Sequence, residues 1–235
     1  MVVEAVLVDV GGTLWPDRWT HATGDRSDQV ARVRAADPTL EPARAAALVD
    51  AIEAIPEPEP DDALQDTNAL IATVLREGGF DPGRLDPVAV RRAVSLPFGQ
   101  RHQMLPGAAE MLRALKADGL SLTVISNTMF RDAECYREDF AAAGLGSCVS
   151  GIVTSVDIGW RKPHPAIFEA ALAVAGVAAS RTAIVGNSET SDILPALDYG
   201  MIAVLVAIEE PPPSFSSADA VATSLADVPA ILRIS

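Results

Sequence analysis

Residues 6–14 read V-L-V-D-V-G-G-T-L, from Val6 to Leu14. An apolar run ends in the acid Asp9, and a glycine pair follows almost at once. A run of this kind is expected to be a strand buried on both faces, as in a parallel sheet. Such sheets carry their chemistry at the carboxyl ends of the strands. Asp9 would stand at that end, while Gly11 and Gly12 let the backbone pass close to a ligand. Taken alone, the stretch is equally consistent with a turn in which Asp9 bonds its own backbone.

Working outward, residues from Trp15 to about Gln103 contain helical patterns and no strand. The helices are expected near Gln29–Ala36, Arg44–Ile55, Leu64–Leu75 and Pro87–Leu96, with Asp62 and Gln65 as a capping box for the third. A Pro-Glu repeat at residues 56–60 reads as an extended spacer. From Leu105 the pattern alternates. Strands are expected at Leu120–Ile125, Gly151–Ser155, Thr182–Val185, Ile202–Val206 and Ala220–Thr223, with helices between them. That rhythm predicts an α/β fold, a doubly wound parallel sheet. Residues 1–14 and 104–235 would form the core, and residues 15–103 an inserted all-helical cap over the strand ends, placed to exclude water.

The 235 residues suffice for one large domain or a core with a smaller partner. A hydrophobic content of 49% predicts a well-buried globular chain. The net charge of −14 argues against nucleic acid or an anionic membrane as a partner, and requires a local cationic pocket for any anionic substrate. Cys135 and Cys148 lack metal-ligand spacing, so free thiols in a reducing cytoplasm are expected. No apolar run is long enough to span a bilayer.

Four polar points fall at expected strand ends: Asp9, Ser126, Lys162 and the turn from Asn187 to Asp192. Together they resemble the motifs of the haloacid dehalogenase-like hydrolase superfamily. The first, D-x-D-G-T-L, is met by Asp9 to Leu14 except at Gly11. The second, a strand ending in Ser or Thr, is met by Val124-Ile125-Ser126-Asn127. The third, G-x-x-K-P-x-P-x-I-F, is met by Gly159 through Phe168. The fourth, V-G-D-S-x-x-x-D, is met by Val185 through Asp192 except at Asn187.

The resemblance implies a Rossmann-like core and a magnesium-dependent phosphatase or phosphotransferase acting on a small phosphorylated metabolite. Asp9 would be the nucleophile. Ser126 would bond a phosphoryl oxygen, and Lys162 would neutralise charge. Lys162 is one of two lysines, beside Lys116, in a chain that otherwise uses arginine. Gly12, Thr13, Asn127, Trp15 and Arg18 would contact substrate. Asp9, the carbonyl of Gly11, Asn187 and Asp192 would hold Mg2+.

Two departures bear on activity. Gly11 replaces the acid that protonates the leaving group, a contribution of about 10²–10⁴-fold. Acyl or aryl phosphates, which need no such proton, would then be favoured, with His21 or His102 as substitute donors. Asn187 replaces a carboxylate, and an amide oxygen binds a hard cation more weakly. Glu189 stands two residues away from where a replacement would be needed. The same departures suit a metal-independent 2-haloacid dehalogenase, with Trp15, Arg18 and Trp19 lining its pocket, or a binding protein that lost turnover. A phosphonoacetaldehyde hydrolase is set aside, because residues 15–103 contain no lysine for its Schiff base. Arg131 is a further candidate for an anion contact, and Asp157 for shaping the loop that presents Lys162.

Overall fold

The computed structural model describes residues 2–16, 26–57, 66–81, 83–101, 103–208 and 214–234. Six parallel strands form one sheet: β1 (Ala5–Val8), β2 (Ser121–Ser126), β3 (Gly151–Thr154), β4 (Thr182–Gly186), β5 (Ile202–Val206) and β6 (Ala220–Ala222). Their order is β3-β2-β1-β4-β5-β6. β1 is therefore central, with Val6 opposite Leu122 on one side and Ala183 on the other. All four residues of β1 are fully buried, as its unbroken apolar run requires.

Side chains alternate between two apolar layers. Val6, Val8, Val124 and Val185 face one cluster, and Leu7, Ile125, Ile184 and Leu205 face the other. The first layer is closed by α6 (Ala108–Ala117), α7 (Ala133–Ala142) and α11 (Val228–Ile234). The second is closed by α9 (Pro165–Ala175) and α10 (Leu194–Asp198). A short α8 (Ser155–Ile158) follows β3, which the sequence pattern did not anticipate. Its four residues are too few to show a helical period.

Between β1 and α6 lie α1 (Arg26–Ala36), α2 (Pro42–Glu53), α3 (Thr67–Glu77), α4 (Pro87–Val94) and α5 (Phe98–Arg101). The first four share an apolar cluster that includes Val33, Leu48, Ile52, Ile71, Leu75 and Val90. α3 starts at Thr67, three residues later than expected. Its cap is Asp66, whose carboxylate accepts from the main-chain N–H groups of Asn68 and Ala69. Asp62 and Gln65, expected in that role, lie outside the described residues. No helix among the described residues is long and apolar enough to cross a membrane.

Two buried arginines tie this helical insert to α7. Arg91 of α4 donates to the Phe130 carbonyl at 2.6 Å and to Asp132 at 2.5 Å. Arg131 reaches back to the Leu96 carbonyl at 2.6 Å and forms an ion pair with Asp139. Arg131 was read as a candidate anion contact. Its charge is matched by the buried Asp139 carboxylate and its side chain is 3% exposed, yet it is among the residues that line the cavity beside the strand ends.

Candidate active site

β1 delivers Asp9 to the carboxyl edge of the sheet, where the Asp9 N–H donates to the Val185 carbonyl at 2.9 Å. The chain then turns sharply. Leu14 and Trp15 both donate to the Val10 carbonyl, and Gly12 to the Trp15 carbonyl. Gly12 has φ +71°, a conformation that a side chain would strain. The turn folds Thr13 back, so that its hydroxyl donates to Asp9 Oδ2 at 3.0 Å.

Lys162 joins the two halves of the site. Its Nζ donates at 2.6 Å to Asp9 Oδ1 and at 2.6 Å to Asp192 Oδ1. The second oxygen of Asp192 accepts from the Ser188 N–H at 3.0 Å. Asn127 clamps the Lys162 main chain, accepting from its N–H at 2.7 Å and donating to its carbonyl at 2.9 Å. Asn127 thus fixes the origin of the lysine side chain. The amide expected to touch substrate is thus also engaged by main chain, while the residue lines the cavity next to the cluster.

Two carboxylates sharing one ammonium leave a net charge of −1 in a buried cluster. Burial pushes the Asp9 carboxyl up, Lys162 pulls it back and Asp192 adds to the rise, so that it titrates at about 6. Burial alone would lower the Lys162 ammonium. Asp192 and Asp9 outweigh it and hold the lysine above its ordinary value.

Next to this cluster is a cavity of about 440 Å³. Val10, Gly11, Ser126 and Asn127 contribute from the strand ends, and Gln29, Glu53, Ile55 and Val94 from the helical insert. Asp9, with its side chain 8% exposed, immediately precedes the lining residues Val10 and Gly11, while neither it nor Lys162, at 2%, lines the cavity itself. Ser126 is on the wall itself, its Oγ 2.9 Å from the Tyr136 hydroxyl.

Asp9, Ser126, Lys162 and Asp192, hundreds of ångströms of extended chain apart, thus converge. Other expected contacts do not reach the cavity. Trp15 was expected to meet substrate, yet its ring is 2% exposed, stacked on Phe98 at 4.9 Å and edge-on to Phe140 at 5.4 Å. Indole area is worth more buried than wet, and the turn after Gly12 aims the ring into the core. Thr13, also expected at substrate, is fully buried and serves Asp9. Glu189 accepts from Ser216 and Ser217 and is committed to that loop. Asp157 ties the end of β3 to α7, accepting from Thr154 Oγ1 and the Ala133 N–H. Arg18, Trp19, His21 and His102 lie outside the described residues.

Of the four groups expected to hold a cation, Asp9 and Asp192 are brought together on Lys162, Gly11 follows Asp9 by two residues, and Asn187 follows the end of β4. Among the described residues no three His, Cys, Asp or Glu side chains converge. Magnesium is commonly held by one or two carboxylates together with water and substrate phosphate. Burial, with a smaller push from Asp192, makes the Asp9 carboxylate costly to ionise, and a cation beside it would offset that cost, so the donor set fits a lightly held ion.

Gly186, at the end of β4, was read only as part of a motif, but packing demands it. A Cβ there would sit 2.5 Å from the Asp192 carboxylate. That carboxylate is held on both sides and cannot retreat without releasing Lys162 or the Ser188 N–H. Gly186→Ala is expected to cost about 1–3 kcal/mol, the usual range for overpacking. The check is a urea denaturation midpoint, and an unchanged midpoint would mean that Asp192 has room to move.

Residues 3–200 match the family described as haloacid dehalogenase-like hydrolase, and the chain belongs to that family. One curated relative is haloacid dehalogenase-like hydrolase domain-containing protein 3 of Bos taurus. It is 32% identical over 143 residues, 60% of this chain and 55% of the relative. Another is a glyceraldehyde 3-phosphate phosphatase of Methanothermobacter thermautotrophicus, 37% identical over 101 residues, 43% of each protein. The chain spans about half the length of these curated relatives. Among solved structures, a 2-haloacid dehalogenase of Pseudomonas syringae pv. Tomato superposes with a TM-score of 0.66 at 21% identity over 99% of both chains. That likeness speaks to the fold.

Proposed function

We propose that the protein is a phosphatase that transfers the phosphoryl group of a small phosphorylated metabolite to Asp9 and then to water. The reading is carried by one observation: the Lys162 ammonium bridges Asp9 and Asp192, and the two residues that follow Asp9, Val10 and Gly11, line a cavity together with Ser126. An Asp9 carboxylate oxygen forms a bond to phosphorus as the ester P–O bond breaks. Water then attacks phosphorus, restoring the carboxylate and releasing inorganic phosphate. Lys162 balances the negative charge that gathers at phosphorus, and Ser126 donates to a phosphoryl oxygen. Asp9, Asp192, Asn187 and the Gly11 carbonyl are the groups that would hold magnesium, which when bound neutralises substrate phosphate.

Gly11 gives the leaving group no side-chain acid beside Asp9, so the departing oxygen takes its proton from water. Substrates whose leaving groups are stable anions, such as acyl and aryl phosphates, are therefore the better ones. The test is a panel of such phosphates and of alkyl phosphates, with and without magnesium, and of 2-chloropropionate with chloride release as readout. Turnover of phosphates supports the reading. Chloride release without phosphate release would replace it with attack of Asp9 on carbon.

The pH profile follows from Asp9. The nucleophile is the carboxylate, and its pKa is pushed up to about 6. Below that value the acid form accumulates, so log kcat/KM for p-nitrophenyl phosphate is expected to fall by one unit per pH unit and to level off above it. A profile flat from pH 4.5 to 7.5 would contradict ionisation of Asp9 as the limiting event.

A further inference from the structure

We propose that Tyr136 is a positioning residue for anion binding. Its hydroxyl donates to Ser126 Oγ, so that the Ser126 proton points into the cavity. This rests on the phosphoryl-transfer reading of the site and goes beyond it, because it assigns work to a helix residue outside every motif.

The geometry is a 2.9 Å contact between two buried hydroxyls, Tyr136 on α7 and Ser126 at the end of β2, both on the cavity wall. Distance does not say which oxygen donates, but chemistry does. A phenol is the stronger acid and so the better donor of the pair. Burial pushes the Tyr136 pKa further up, which keeps its proton in place, while the nearby Arg131 opposes that rise. Among the described residues, the Tyr136 hydroxyl has Ser126 as its hydrogen-bond partner. Were Ser126 to donate instead, the weaker acid would fill the protein contact and the phenol proton would have only the cavity to address.

With its lone pair occupied by Tyr136, Ser126 has its own proton to place. Within the protein, the acceptor near it is the Asn127 carbonyl at 3.5 Å, too far for a good bond. The remaining direction is the cavity. A hydroxyl that accepts one hydrogen bond donates a stronger one, by about 10–30%. The phenol therefore both aims and strengthens Ser126 as a donor to an incoming oxyanion.

The ring cannot drift. It packs on Phe98 with centroids 5.6 Å apart, and the Arg131 guanidinium lies 5.3 Å from its centre. Arg131 is itself anchored by Asp139 and the Leu96 carbonyl.

The test uses Tyr136→Phe, which removes one oxygen and keeps the ring, made in the parent and in Ser126→Ala. The probes are p-nitrophenyl phosphate turnover and competitive inhibition by inorganic phosphate. In the parent, Tyr136→Phe is expected to lower kcat/KM about tenfold and to raise the phosphate inhibition constant comparably, the size of one neutral hydrogen bond. In the Ser126→Ala background it is expected to change neither. Equal losses in both backgrounds would mean that the phenol supports structure only, and would overturn the proposal. So would a Ser126→Ala defect with Tyr136→Phe silent. Any general loosening by the Phe substitution is common to both backgrounds and cancels. If the parent neither turns over nor binds phosphate, the phosphoryl-transfer reading falls first and this one with it.

Discussion

Asp9→Asn is expected to abolish phosphate release while leaving the fold intact. The substitution keeps the shape of the side chain; the one remaining oxygen can accept from Lys162, and the amide NH2 can donate to the Thr13 hydroxyl. What disappears is the carboxylate nucleophile. Loss of a covalent nucleophile can cost up to about 10⁶-fold, so a fall of at least about 10³-fold, to the assay floor, is expected. Stability should not suffer. The Asp9 pKa stands at about 6 rather than 3.8, so the fold disfavours its ionised form at pH 7. A neutral amide removes that penalty and takes the cluster from net −1 to net zero. Equilibrium urea denaturation together with p-nitrophenyl phosphate turnover checks both parts. Unchanged turnover would take Asp9 out of the chemistry.

Lys162→Met should be the more damaging change to the fold. The thioether fills a similar volume, but it strands two carboxylates that are 8% and 1% exposed. Breaking a buried pair by removing one partner typically costs about 3–5 kcal/mol, because the remaining charge is left uncompensated. Here both acids depend on the same amine. Without it their pKa values rise, and protonation becomes the route by which they are accommodated. The deficit is therefore largest at pH 7.5 and shrinks towards pH 5, as the folded state takes up protons that the unfolded chain has already released. Urea midpoints at those two pH values measure it. Equal stability of variant and parent at pH 7.5 would show that Asp9 and Asp192 are solvated well enough without the lysine.

How much of this was legible in advance depended on the range of the interaction. All six strands were read from short, largely apolar runs bounded by turns; β1 and β5, buried at every residue, are apolar throughout, as burial on both faces requires. The ring of Trp15 was misread because exposure is not a local property. It stands one residue after the first motif, but Phe98 and Phe140 bury it, and neither is near it in sequence. Arg131 lines the cavity, but its ion pair with Asp139, eight residues on, was not foreseen, because nothing local predicts their burial. Asn127 was assigned to substrate and lines the cavity, but its hold on the main chain of Lys162, 35 residues on, was not legible. Tyr136 carried a usable signal. It lies on the buried face of α7 with Cys135 and Phe140, and a phenol placed there must find a partner for its polar tip.

The central place of β1 has a consequence for biosynthesis. Chain growth produces this strand first, yet its neighbours begin at Ser121 and Thr182. Until β2 is made the growing polypeptide carries an apolar ribbon with both hydrogen-bonding edges open, the situation that invites misassembly. Only when the ribosome has released β4 can Asp9 be enclosed from both sides, so holdase protection of β1 over that interval would bear on the yield of folded protein.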